Sequence, residues 1–191
     1  MKTKHLVSLL GTLALLCSCI PSVNSYYTSK DAVFDARLLG TWRERDAQGQ
    51  PQIWEFKHGR GKSCELTVIE PPGKRGQFTA QLFALKREQF LDIQPTGSAY
   101  PPDQAGLVGA AMFPGHLLLR VTQLEPELKL AACDYDWLEK FLEQNPRALA
   151  HRRDNNRTLL VADTRDLQRF VLKHINELFK QPGVMIREDG E

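Results

Sequence analysis

Trp54-Glu55-Phe56-Lys57-His58-Gly59-Arg60-Gly61-Lys62-Ser63-Cys64-Glu65-Leu66-Thr67-Val68 is the stretch on which the fold turns. Trp54 and Phe56 alternate with Glu55 and Lys57, and Cys64, Leu66 and Val68 share one face of the next run. Side chains of a strand point to opposite faces in turn, so a period of two predicts two half-buried strands, and the glycine-rich segment between them predicts a tight turn. The pattern continues outward. Leu38 to Glu44 reads as an earlier strand, closed by a turn at Asp46 to Pro51. Pro71 to Gly76 turns the chain again, Phe78, Ala80, Leu82 and Ala84 alternate with polar neighbours, and Lys86-Arg87-Glu88 leads into Phe90 to Ile93. Short strands joined by short turns predict an antiparallel meander.

The second half mixes element types. Pro95 to Gly115 gathers prolines and glycines around Leu107, Val108, Met112 and Phe113, which predicts a long loop, either a lid over the sheet or a partner-binding segment. His116 to Leu124 and Leu128 to Ala132 read as a hairpin. Asp136 and Glu139 resemble a capping box opening a helix with Leu138, Phe141 and Leu142, stopped at Asn145-Pro146. A second hairpin spans Ala148 to Ala162. Asp163 or Thr164 then caps a helix carrying Leu167, Phe170, Val171, His174 and Leu178 at helical spacing, before a short strand from Val184 to Arg187. The expectation is an α+β fold: an antiparallel meander sheet, able to curl into a partial barrel, with two C-terminal helices packed on it. One domain covers residues 33–191.

The chain starts differently. Lys2 and Lys4 precede an apolar run through Leu16, interrupted by Ser8, Gly11 and Thr12, which is too short to span a bilayer and fits a signal peptide over residues 1–18. Leu16-Cys17-Ser18-Cys19 resembles the lipobox of bacterial lipoproteins. That resemblance implies cleavage after Ser18, acylation of Cys19 and membrane attachment through the lipid; the competing reading is an ordinary secretory signal without lipid. Ile20 stands where Asp would retain a sorted lipoprotein in the inner membrane, so the resemblance implies the outer membrane, facing the periplasm. Residues 19–32 lack an apolar period and read as a tether, with order starting near Val33.

The leader takes with it two of the 25 Lys plus Arg residues and none of the 23 Asp plus Glu. A neutral body has no bulk attraction for nucleic acid. Cys17 leaves with the leader and Cys19 takes the lipid, which leaves Cys64 and Cys133 as a pair in an oxidising compartment. They are either a disulfide or two buried thiols.

Gly40-Thr41-Trp42 resembles the Gly-x-Trp that opens the lipocalins and lipocalin-like proteins, over the front half of the chain from Leu38 to Thr96. The resemblance implies a meander barrel for a small apolar ligand, with Trp42 closing one end against a late arginine, for which Arg187 is the candidate. The competing reading of Trp42 is a residue simply buried in a sheet. Trp42, Trp54, Phe56, Leu107, Val108, Met112 and Phe113 are then the candidate contacts for an apolar ligand or an envelope protein partner.

Catalytic signatures fail one by one. Gly61-Lys62-Ser63 lacks the earlier glycine of a phosphate loop, since that position is Phe56. The basic residues fall at turns on opposite ends of a meander, so they cannot form one anion-binding stripe. No histidine has metal-ligand spacing, no cofactor motif occurs, and no Gly-x-Ser-x-Gly is present. Asn156-Arg157-Thr158 is a glycosylation sequon, which in a bacterial chain is a chance occurrence. The expectation is a non-enzymatic envelope lipoprotein. The alternatives are an envelope hydrolase using His116 or His174 with distant carboxylates, and a purely structural role.

Overall fold

A computed structural model describes residues 20–45, 50–96, 115–154 and 157–188. Its centre is a closed barrel of eight antiparallel strands. These are β1 (Gly40–Glu44), β2 (Ile53–His58), β3 (Cys64–Glu70), β4 (Lys74–Leu85), β5 (Glu88–Pro95), β6 (Leu117–Gln123), β7 (Glu127–Ala132) and β10 (Gly183–Arg187). Each of the first seven pairs with its successor, and β10 pairs with both β7 and β1. The expected curl is therefore complete, with no free edge.

Alternation does the sorting. Trp42, Trp54, Phe56, Leu66, Leu91 and Leu130 point inward and are at most 2% exposed. Eight strands enclose just enough room for side chains to fill or for one small ligand. Where β4 to β7 meet the helices, both faces are covered, so Leu82 and Phe83 are buried on opposite sides of the same strand.

The outer layer comes from the excursion between β7 and β10. It contains α1 (Tyr135–Gln144), the hairpin β8 (His151–Asp154) and β9 (Arg157–Leu160), α2 (Thr164–Lys173) and the single turn α3 (Ile175–Leu178). Leu138, Leu142, Leu167, Phe170 and Val171 form one cluster with Phe83, Phe90, Leu118 and Ala131 on the outside of the barrel. Two boundaries differ from expectation. The N-cap of α1 is Asp134, whose Oδ1 accepts from the Trp137 amide at 3.0 Å, two residues before Asp136. The last helix breaks at His174, giving α2 and α3.

The segment read as a tether is part of the body. Ile20 is 2%, Ser22 0% and Tyr26 3% exposed. Ser22 exchanges two backbone hydrogen bonds with His116, the Val23 amide donates to Leu160 O and the Val33 amide to Leu82 O. This strap lies along the barrel wall, ties it to β9 and continues into a 3-10 turn (Ala36–Leu38). It has no apolar period because backbone groups hold it in place.

Candidate functional site

The 3-10 turn closes the barrel end at which β1 starts and β10 finishes. Its last residue, Leu38, is 1% exposed, and its carbonyl accepts from Trp42 Nε1 at 2.9 Å. The Arg187 guanidinium lies 4.3 Å from the centre of the Trp42 ring. Its Nη1 donates to Leu39 O at 2.5 Å and its Nη2 to Arg37 O at 2.6 Å. One arginine thus joins the last strand, the tryptophan and the turn, which is the pairing expected from Gly40-Thr41-Trp42. Gly40 has φ +117°, and a Cβ there would sit 2.7 Å from Arg187 Nη1. The glycine is needed for its backbone angle and for the space. We call this end plugged and the opposite end far.

Trp42, Trp54 and Phe56 come together inside the barrel; the rings of Trp54 and Phe56 are 6.0 Å apart between centres. They are core, not surface. Leu107, Val108, Met112 and Phe113 lie outside the described residues, as does Cys19.

Toward the far end the interior turns polar. Trp54 Nε1 donates to Gln52 Oε1 at 2.9 Å, and Gln52 Nε2 donates to Glu70 Oε1 at 3.3 Å. Gln52 and Glu70 are 2% and 4% exposed. Glu44, two residues beyond Trp42 on the same face, has its carboxyl raised by burial despite accepting a backbone hydrogen bond from Gln52. The sequence reading passed over these three residues, although a period of two places each on the inward face of a strand already assigned.

The two cysteines are not bridged to each other. Cys64 packs in the barrel interior, where burial raises its thiol pKa, whereas Cys133 belongs to the outer cluster beneath the helices, its Sγ 3.7 Å from Leu118 O. A wall of strands separates the two clusters, so a bridge has no path.

His116 finds a carboxylate that spacing could not reveal. Its Nδ1 lies 2.7 Å from Asp92 Oδ1, while Asp92 Oδ2 accepts from the Tyr26 amide at 2.9 Å. Both side chains are largely buried, at 12% and 1% exposure. The neighbouring Ser22 Oγ accepts from the Asn24 amide at 3.3 Å. His174 stands among Trp137, Phe141 and Phe170, with ring centres 4.8 to 5.5 Å away. Burial lowers its pKa, with Lys173 adding to the effect and Glu177 opposing it.

Between barrel and helices lies an apolar cavity of about 10 Å³, lined by residues including Ile20, Tyr26, Leu118 and Phe170. That is room for about one water and for no organic ligand. Among the described residues no group of His, Cys, Asp and Glu is arranged to hold a metal ion, and no helix is long and apolar enough to cross a membrane. Compared with family models, curated proteins and solved structures, the chain finds no match.

Proposed function

We propose that this chain is a cell-envelope lipoprotein, acylated on Cys19, whose barrel serves binding and not catalysis. The occupant is a small apolar ligand or an envelope protein partner. The observation that carries this reading is the closed barrel with one end plugged by Trp42 and Arg187 and an apolar interior above it. The interior of an eight-stranded barrel is either filled by its side chains or holds one small ligand, with few polar groups to orient it. Gln52, Glu44 and Glu70 supply such groups toward the far end. The outer membrane, on its periplasmic side, is the proposed location, resting on Ile20 after the lipobox.

The test has two parts. Labelling cells with radioactive palmitate should mark the wild-type chain and not Cys19→Ala; persistent label in the mutant removes the lipoprotein reading. Native mass spectrometry of the detergent-extracted protein should then show a bound lipid-like mass or a co-purifying envelope protein. A chain that retains neither, in several detergents, removes the binding reading.

The hydrolase alternative has one observation in its favour, the Asp92–His116 pair. A carboxylate that orients an imidazole is two-thirds of a catalytic triad. Ester hydrolysis by the purified protein that disappears in His116→Gln would establish it.

A further inference from the structure

Resting on acylation of Cys19, the geometry points to a membrane-docked orientation of the barrel: the far end faces the bilayer and the plugged end faces away. Three observations lead there. First, Ile20, the residue that follows Cys19, is packed: it is 2% exposed and shares the outer cluster with Leu118 and Leu160. Second, the strap begins at the far end. Ser22 pairs with His116, next to the first residue of β6, and β6 starts where β5 ends. Ala32 pairs with Phe83 near the end of β4, Lys62 Nζ donates to Ala32 O at 2.7 Å from the β2–β3 turn, and the strap runs into the plugging turn. The strap therefore runs the length of the barrel, and its first residues lie at the end opposite Trp42 and Arg187. Third, Val23, beside this entry point, is 47% exposed, an apolar side chain left to solvent next to the proposed lipid.

Length then decides the matter. A trans peptide places the Cα atoms of Cys19 and Ile20 about 3.8 Å apart. The acyl chains occupy the hydrocarbon core, so the lipid-bearing residue sits in a headgroup layer about 5 to 8 Å deep on each side. One residue cannot lift a packed Ile20 clear of that layer. The body touches lipid, and the hydrogen bonds of Ser22, Val23 and Tyr26 fix which side does so.

The experiment uses the lipidated full chain in vesicles of phosphatidylethanolamine and phosphatidylglycerol carrying a headgroup-linked quencher. A fluorophore is placed at the exposed far-end position with Gln94→Cys, or at the exposed plugged-end turn with Arg60→Cys, while buried Cys64 and Cys133 are shielded from the reagent. The Gln94→Cys label is expected to lose at least about half its emission. The Arg60→Cys label, roughly 20 Å farther from the lipid by strand rise, is expected to keep nearly all of it. Equal quenching at the two sites overturns the orientation. A flexible Gly/Ser insert between Cys19 and Ile20 should abolish the difference, and a difference that survives the insert overturns the strap as its cause. The mass of the N-terminal peptide separates the two levels of failure. A peptide without lipid sinks the lipoprotein reading and the orientation together; a lipidated peptide with equal quenching sinks the orientation alone.

Discussion

The guanidinium of Arg187 covers the face of Trp42 at 4.3 Å while its two amino groups hold the carbonyls of Leu39 and Arg37. A lysine could supply the charge. Only a planar fork can stack on the ring and donate to two carbonyls together. The last strand of the barrel is thereby tied to the turn before the first, at the seam where closure depends on β10 crossing from β7 to β1.

Arg187→Ala should lower stability by about 2 kcal/mol, combining lost charge-assisted hydrogen bonds and the ring contact, discounted for partial exposure. Arg187→Lys should recover less than half of that. Urea midpoints at constant slope are the measurement, and equal midpoints for Lys and Arg would show that charge alone matters.

Gly40→Ala should cost about 2 kcal/mol or more, because φ +117° is strained for a side chain and the added Cβ meets Arg187 Nη1. The two causes separate in a double mutant. In the Arg187→Ala background the clash disappears and the backbone strain remains, so Gly40→Ala should cost less there than in the wild type. Strict additivity of the two changes would rule out the steric part.

The strands were legible because alternation is local. Trp54 with Phe56, and Cys64 with Leu66 and Val68, declare an inward face within five residues. Closure was not legible, since β10 is five residues long and returns after an excursion of about fifty residues that belongs to the outer layer. Arg187 as the partner of Trp42 came from the resemblance carried by Gly40-Thr41-Trp42, not from any pattern around Arg187 itself. Asp92 and His116 meet across a strand pair, which spacing along the chain does not encode. Gln52, Glu44 and Glu70 could have been found, because they extend the same alternating faces past their apolar residues. Ile20 to Ala32 could not, because its backbone bonds leave no periodic trace.

His174 makes stability depend on pH. Its folded pKa lies below the ordinary 6.5, so over the interval just below that value the unfolded chain binds more protons than the native one. Stability contributed by the neutral ring is present above about 6.5 and declines as pH falls toward the lowered value. Melting temperature followed from pH 8 to 5 should fall more steeply in the wild type than in His174→Phe, which keeps an aromatic ring beside Trp137, Phe141 and Phe170. Parallel curves would remove His174 as the source.

Cys64 and Cys133 should behave as two separate thiols. Their clusters lie on opposite sides of the barrel wall, so a reducing agent should leave the melting temperature unchanged and a non-reducing gel should show no faster monomer. Both should react with a blocking reagent only after denaturation, in keeping with their burial. A faster band without reductant would require the barrel to open and would contradict the packing described above.

The strap carries the last prediction. Two lipid-free bodies should be compared, one starting at Ile20 and one at Val33. If residues 20–32 were a spacer, their melting curves would coincide. The packing argues otherwise: removing Ile20 and Tyr26 strips two large side chains from the outer cluster, each worth about 1.5 to 3 kcal/mol of burial. It also takes away the Tyr26 amide that donates to buried Asp92 and the backbone partners of His116 and Leu160. A loss of about 3 to 6 kcal/mol is expected, a large share of the stability of a small domain. Hydrogen exchange gives a check that does not depend on truncation. In the body starting at Ile20, the amides of Ser22, Val23 and Tyr26 should exchange as slowly as those of β6, because each is held by a bond to the barrel or to β9. Exchange at the rate of an unstructured peptide at these three positions would return the segment to a tether, and the orientation argued from it would fall as well.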